Sequence, residues 1–167
     1  KIMERLLDKV PELQHIDLWD NQPTREGDSH PYNLPAVFIE FTEVQWEYQS
    51  AYMRQGDCDV RIHIQSEVIG RDTDSSAPTA ERNSALDRLA LRARVSKALV
   101  GYQAYDQGGV EAIQFGRLIG VSSAVGTNSD MREIDVETFR TRLHDPNEVP
   151  QPASTVQPAG PVIRPKA

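Results

Sequence analysis

The stretch "NLPAVFIEFTEVQWEYQ", Asn33 to Gln49, begins as an unbroken apolar run and ends in strict alternation. Read as one extended strand, it puts Ala36, Phe38, Glu40, Thr42, Val44, Trp46 and Tyr48 on one face. Val37, Ile39, Phe41, Glu43, Gln45 and Glu47 fall on the other. The first half is apolar on both faces, as in a strand covered above and below. The second half is apolar on one face only. From Ala36 to Tyr48 such a strand runs roughly 40 Å at about 3.3 Å per residue. A compact domain of this length is itself only roughly 40 Å across. Either the strand bends or bulges inside the fold, or it projects. A projecting ribbon would expose Val44, Trp46 and Tyr48 as an aromatic contact face.

The neighbouring segments supply its partners. In "GDCDVRIHIQSEV", Gly56 to Val68, Val60, Ile62 and Ile64 share one face, with Arg61, His63 and Gln65 on the other. That alternation predicts a half-buried strand with His63 at the surface. Only "SAYMRQG", which holds Tyr52, separates the two strands, so they should pair antiparallel as a hairpin. Ile2, Leu6 and Val10 repeat at helical spacing, with Met3 and Leu7 alongside, and Pro11 ends that helix. "HIDLWDN" alternates as a short strand. After a polar loop, Thr79 is placed as an N-cap and Glu81 suits the first turn of a helix running to Val100. Lys97 suits its last turn and Gly101 its C′ position. "AIQFGRLIGVSSAV" and "REIDVETFRTRL", joined through "GTNSD", read as a second hairpin.

The order α-β-β-β-α-β-β predicts an α+β fold, an antiparallel sheet of about four to five strands with two helices packed on it. Residues 1–145 should form that single domain. Residues 146–167 hold six of the eleven prolines and no aromatic residue. They cannot build a core and read as an extended, flexible tail.

Composition removes several function classes. Hydrophobic residues make up 38% and charged residues 26% of the 167, ordinary values for a soluble globular protein. No apolar run reaches the roughly 18 residues that span a bilayer, and the charged opening "KIMERLLDKV" is not a signal peptide. The sequence opens on Lys1 rather than Met, which leaves room for residues upstream. A net charge of −7 opposes general nucleic-acid binding. Cys58 is the single cysteine, so no internal disulfide can form, which fits a reducing compartment.

Chemistry is hard to assemble from these residues. There is no phosphate-binding glycine loop, HExxH or CxxC. "GVSSA", Gly120 to Ala124, lacks the second glycine of a nucleophile elbow and lies in a predicted strand. "DCDVRIH" gathers Asp57, Cys58, Asp59 and His63, but Cys58 points away from the other three. Asp57 and His63 would stand about 20 Å apart on an extended strand, too far for one metal ion. The acid pairs Asp17 and Asp20, Asp72 and Asp74, and Glu133 and Asp135 have no candidate pocket to serve. The reading is a non-enzyme with no cofactor, metal or small-molecule substrate.

The second helix carries two apolar lines. Leu86, Leu89, Ala90, Ala93 and Val100 form the stripe expected to face the sheet. Leu91, Val95 and Leu99 lie on nearly the opposite side, to be covered by the first helix or by a neighbouring subunit. With Val44, Trp46, Tyr48 and Tyr52 they make the candidate subunit interface. Arg88, Arg92, Arg94 and Lys97 form a basic cluster on the same helix. It is either a solvated face with cations toward the helix C-terminus, or a contact surface for an acidic partner or nucleic acid.

The order of an opening helix, the "LPAVFIEF" strand, a long hairpin into "GDCDVRIHI", a helix and a closing hairpin ending "VETFRTRLHD" resembles bacteriophage tail terminator proteins. These are also called tail completion or tail-to-head joining proteins. The resemblance spans about residues 1–145 and rests on the order of segments rather than on a motif. It implies a structural virion protein made in the host bacterial cytoplasm. It further implies a ring, usually a hexamer, that caps the tail tube, joins the head–neck connector and lets DNA pass through its channel without specific binding. The family brings no catalytic residues. The alternative from the residues alone is a small soluble adaptor that binds an acidic partner or nucleic acid through helix 86–99.

Overall fold

The opening segment is two strands, with a change of face between them. The computed structural model describes residues 1–20, 32–48, 54–67, 76, 78–105, 111–125 and 132–145. Its elements are α1 (Ile2–Lys9), β1 (His15–Leu18), β2 (Ala36–Phe41), β3 (Gln45–Tyr48), β4 (Arg54–Glu67), α2 (Thr79–Leu99), β5 (Gln103–Tyr105), β6 (Glu111–Val125) and β7 (Arg132–Asp145). Both β2 and β3 pair antiparallel with β4, as the hairpin reading predicts. Phe41 pairs with Val60 and Gln45 with Asp57, so three residues on one strand face two on the other. That extra residue is a β-bulge, and it inverts which side chains point to which face. Thr42 clamps it: its N–H donates to the Asp59 carbonyl, and its Oγ1 accepts from the Asp59 N–H, both at 3.0 Å.

The consequence is a correction to the single-strand reading. Phe38 pairs with His63 on the outer face of the sheet, whereas Trp46 pairs with Gly56 on the face that carries Cys58, Val60 and Ile62. The two aromatic positions share parity in the sequence and lie on opposite faces in the fold.

The sheet is larger than expected, mixed and strongly curled, with order β1-β2-β4-β7-β6-β5 and β3 beside β4. The chain remains α+β with two helices, but β1 runs parallel to β2, and β5 was not anticipated. β4 pairs with β7 along all fourteen residues, and β6 follows β7 with two register shifts of its own, near Phe115 to Gly120. Strands of this length reach about 46 Å at about 3.3 Å per residue. The length foreseen for the opening segment therefore belongs to β4, β6 and β7. Both helices lie on one face of the sheet. Ile2, Leu6 and Val10 are buried with Val37, Ile39, Ile62, Ile64, Val95, Leu99 and Phe139 in one cluster, while Leu7 faces solvent. Val37 and Ile39 are thus core residues, as expected. Thr79 is the first residue of α2 rather than its cap, which Pro78 occupies, and Gly101 takes the expected positive φ of 69° past its end.

Candidate subunit interface

Beyond the bulge, β3 is an edge strand whose four residues are all exposed. Val44 is half-buried and packs on the core cluster. Trp46 is 40% exposed and Tyr48 68%. Gly56 is what lets β3 lie so close: a Cβ there would stand 2.4 Å from Val44 Cγ1 and 2.8 Å from Trp46 Cε3. Any larger residue must push the ribbon off β4. The Arg54 guanidinium lies 5.1 Å from the Trp46 ring centroid and covers one face of the indole. Tyr52, assigned to the same surface, lies outside the described residues, as does the 146–167 tail.

On α2 the structure exchanges the two stripes. Leu91, Val95 and Leu99, assigned to the interface, are buried in the protein's own core. They meet α1, which packs beside α2, with Arg5 Nε donating to the Ala98 carbonyl at 3.1 Å. Leu86, Leu89 and Val100 are instead 61%, 47% and 52% exposed, with Ala90 and Ala93 exposed between them. The stripe expected to face the sheet faces solvent.

The basic cluster is corrected by the same rotation. Arg88 turns to the sheet and grips Asp135 with two hydrogen bonds, at 2.8 and 2.7 Å. Ser123 donates to the same carboxylate. Arg92 stands 3.8 Å from Glu137, and Arg94 pairs with Glu12. Among the four assigned cations, three are therefore held within the chain, while Lys97 stays exposed. Asp135 and Glu137 are almost fully buried yet respond differently. Burial alone would raise Asp135, but the hydrogen bonds from Arg88 and Ser123 and the charges of Arg88 and Arg92 hold its carboxyl below the usual range. Burial pushes Glu137 up, with Ser96 and Arg92 opposing it only in part.

No family model and no curated protein matches the sequence. Among solved structures, the chain is similar to one from the virion of a native gene transfer agent (GTA) particle, at 17% identity and a TM-score of 0.42. The match covers 86% of this chain and 92% of that one. A similarity of that size does not extend to function.

The outer face of the sheet holds a second cluster that alternation alone hid. His63 is buried, not superficial, because Trp19 stacks flat on it at 3.8 Å between ring centroids. Its Nε2 donates to Glu40 Oε2 at 2.8 Å, and Tyr32 Oη donates to Gln65 Oε1 at 2.6 Å. Burial lowers the His63 pKa, while the Glu40 hydrogen bond opposes that shift. The segment "DCDVRIH" is taken apart by the fold. Asp57 pairs with Arg142, Asp59 with Arg140 and His63 with Glu40, while Cys58 is buried on the helix side. Burial, with Asp59 and Asp57 nearby, raises its thiol pKa. A signal for the Arg88–Asp135 and Arg92–Glu137 pairs was present. Cations four apart on a helix are about 6 Å apart along it. Acids two apart on a strand are separated by about 6.6 Å, so the two sets match.

Proposed function

We propose that this chain is a non-enzymatic structural subunit of a phage-type tail, a tail-terminator-like protein that closes into a ring on the tail tube. The observation that carries this reading is the end of the sheet beyond the helices. There β3 presents Tyr48 and the uncovered part of Trp46 to solvent. Large exposed aromatics on a projecting ribbon are contact surfaces. The segment order described above supplies the kind of assembly, including the head–neck connector as neighbour and DNA as passing cargo. Six copies is the number that resemblance favours. The adaptor reading loses its ground, because Arg88, Arg92 and Arg94 are occupied by Asp135, Glu137 and Glu12.

Size-exclusion chromatography with light scattering, on the full chain and on a form trimmed of residues 44–54, tests this. A closed oligomer from the full chain that is lost on trimming, and that joins purified tail tubes, is expected. A monomer at high concentration in both forms, inert toward tail tubes, would sink the proposal.

A further inference from the structure

Three exposed features have so far been treated separately: β3, the stripe on α2, and β6. β5 and Tyr102 occupy β6 only as far as Phe115. From Gly116 to Val125 the edge of β6 away from β7 has no strand partner among the described residues. Ile119 and Val121 are 40% and 48% exposed along it. A free edge of ten residues is a template for pairing with another strand.

The order of residues around α2 turns its stripe toward this edge. α1 and the turn after it lie on one flank of α2, through Arg5–Ala98 and Arg94–Glu12. On the other flank Arg88 and Arg92 reach β7, and Ser123 of β6 joins them at Asp135. Leu86, Leu89 and Ala93 continue around the helix from that side, and Val121 pairs with Glu137 on the same face of the sheet. The result is an apolar corner with a helix flank as its wall and a free strand edge as its floor.

We propose that the β3 ribbon of a second copy fills this corner, extending the sheet of one subunit into the next. The inference rests on the ring reading and names its contact. Three properties select β3. Thr42 to Tyr48 contains no proline and is itself an edge, so it can supply a ladder strand. The 146–167 segment has a proline-free run of no more than five residues, Ala153 to Gln157, and proline supplies no N–H, so it makes a poorer ladder strand. Facing also matches. Trp46 and Tyr48 pair with Gly56 and Arg54 on the helix side of the sheet, the side on which Val121 and the α2 stripe stand exposed. The donor and acceptor edges are different surfaces of one chain, so the contact is head-to-tail. Such contacts close into rings when the rotation permits.

The test is cross-linking of the full-length protein bearing Glu47→Cys and Ser122→Cys, with a bismaleimide of about 10 Å reach, which tolerates a slip of about three residues. Both positions are exposed, and the native Cys58 is buried. The double variant should give a ladder of covalent oligomers, each single variant none, and a control pairing Glu47→Cys with Leu7→Cys none. Trp46→Ala should weaken association about thirtyfold, the loss typical of a buried aromatic anchor. An oligomer by light scattering that yields no ladder, or a ladder equally strong in the control, overturns this contact and leaves the ring reading standing. A monomer throughout overturns both.

Discussion

The two ends of β4 are built by opposite rules. From Ile62 to Ser66 the strand is buried on both faces: by the helices on one, and by Trp19, Tyr32 and Phe38 around His63 and Gln65 on the other. From Arg54 to Asp57 it carries the β3 ribbon, whose side chains face water. At the first end even the charges are internal, with Arg88 and Arg92 answering Asp135 and Glu137. At the second end the largest apolar side chains are external. One end holds the fold, and the other is free to be used.

That contrast can be broken at several places. Phe139→Ala should cost most, about 3–5 kcal/mol, because the ring is fully buried edge-on to Phe115 and its loss leaves a cavity. Chemical denaturation would measure it, and a cost under 1 kcal/mol would remove the core beneath the helices as the seat of stability.

Asp135→Asn should cost about 3 kcal/mol, since it leaves a mostly buried arginine without its anion. Its pH dependence sharpens the point. The folded pKa of Asp135 is depressed, so its contribution is present above about pH 4 and fades as pH falls through the folded value. The variant should lack that acid limb. Glu137 works the other way: its pKa is raised, so its contribution is present at low pH and is lost as pH rises through the folded value. Thermal melts across pH would separate the two.

Gly56→Ala should cost about 1–3 kcal/mol, by overpacking against Val44 and Trp46. Trp46 fluorescence should shift red as the ribbon lifts, and an unchanged spectrum would contradict the close approach. Smallest of all in stability is Tyr48→Ser, within about 0.5 kcal/mol as for an open surface site. Its effect should appear in sedimentation as weakened self-association, which is the outcome that separates the two ends.

Much of the protected end was legible in the sequence. Ile2, Leu6 and Val10 announce α1 by period, and Val60, Ile62 and Ile64 announce β4, because both patterns are local. The orientation of α2 was not legible. Both of its long sides carry leucines, and its arginines looked solvated because their partners are 47 and 45 residues away on β7. Sidedness that depends on a partner elsewhere in the chain leaves no trace in helical period. β1 was found but not its parallel pairing, which is a property of two segments rather than one. The exposure of Trp46 and Tyr48 agrees with their alternation, yet their facing was read wrongly, since the extra residue at Thr42–Val44 has no signature in alternation.

That extra residue has a consequence for heredity. Loss of one codon between Thr42 and Val44 would restore even pairing and leave Trp46 opposite Gly56 and Tyr48 opposite Arg54, on the face they hold now, while Phe41–Val60 and every pair before it kept their register. The bulge is therefore a place where the gene can gain or lose one codon while the core and the facing of the ribbon both stay as they are.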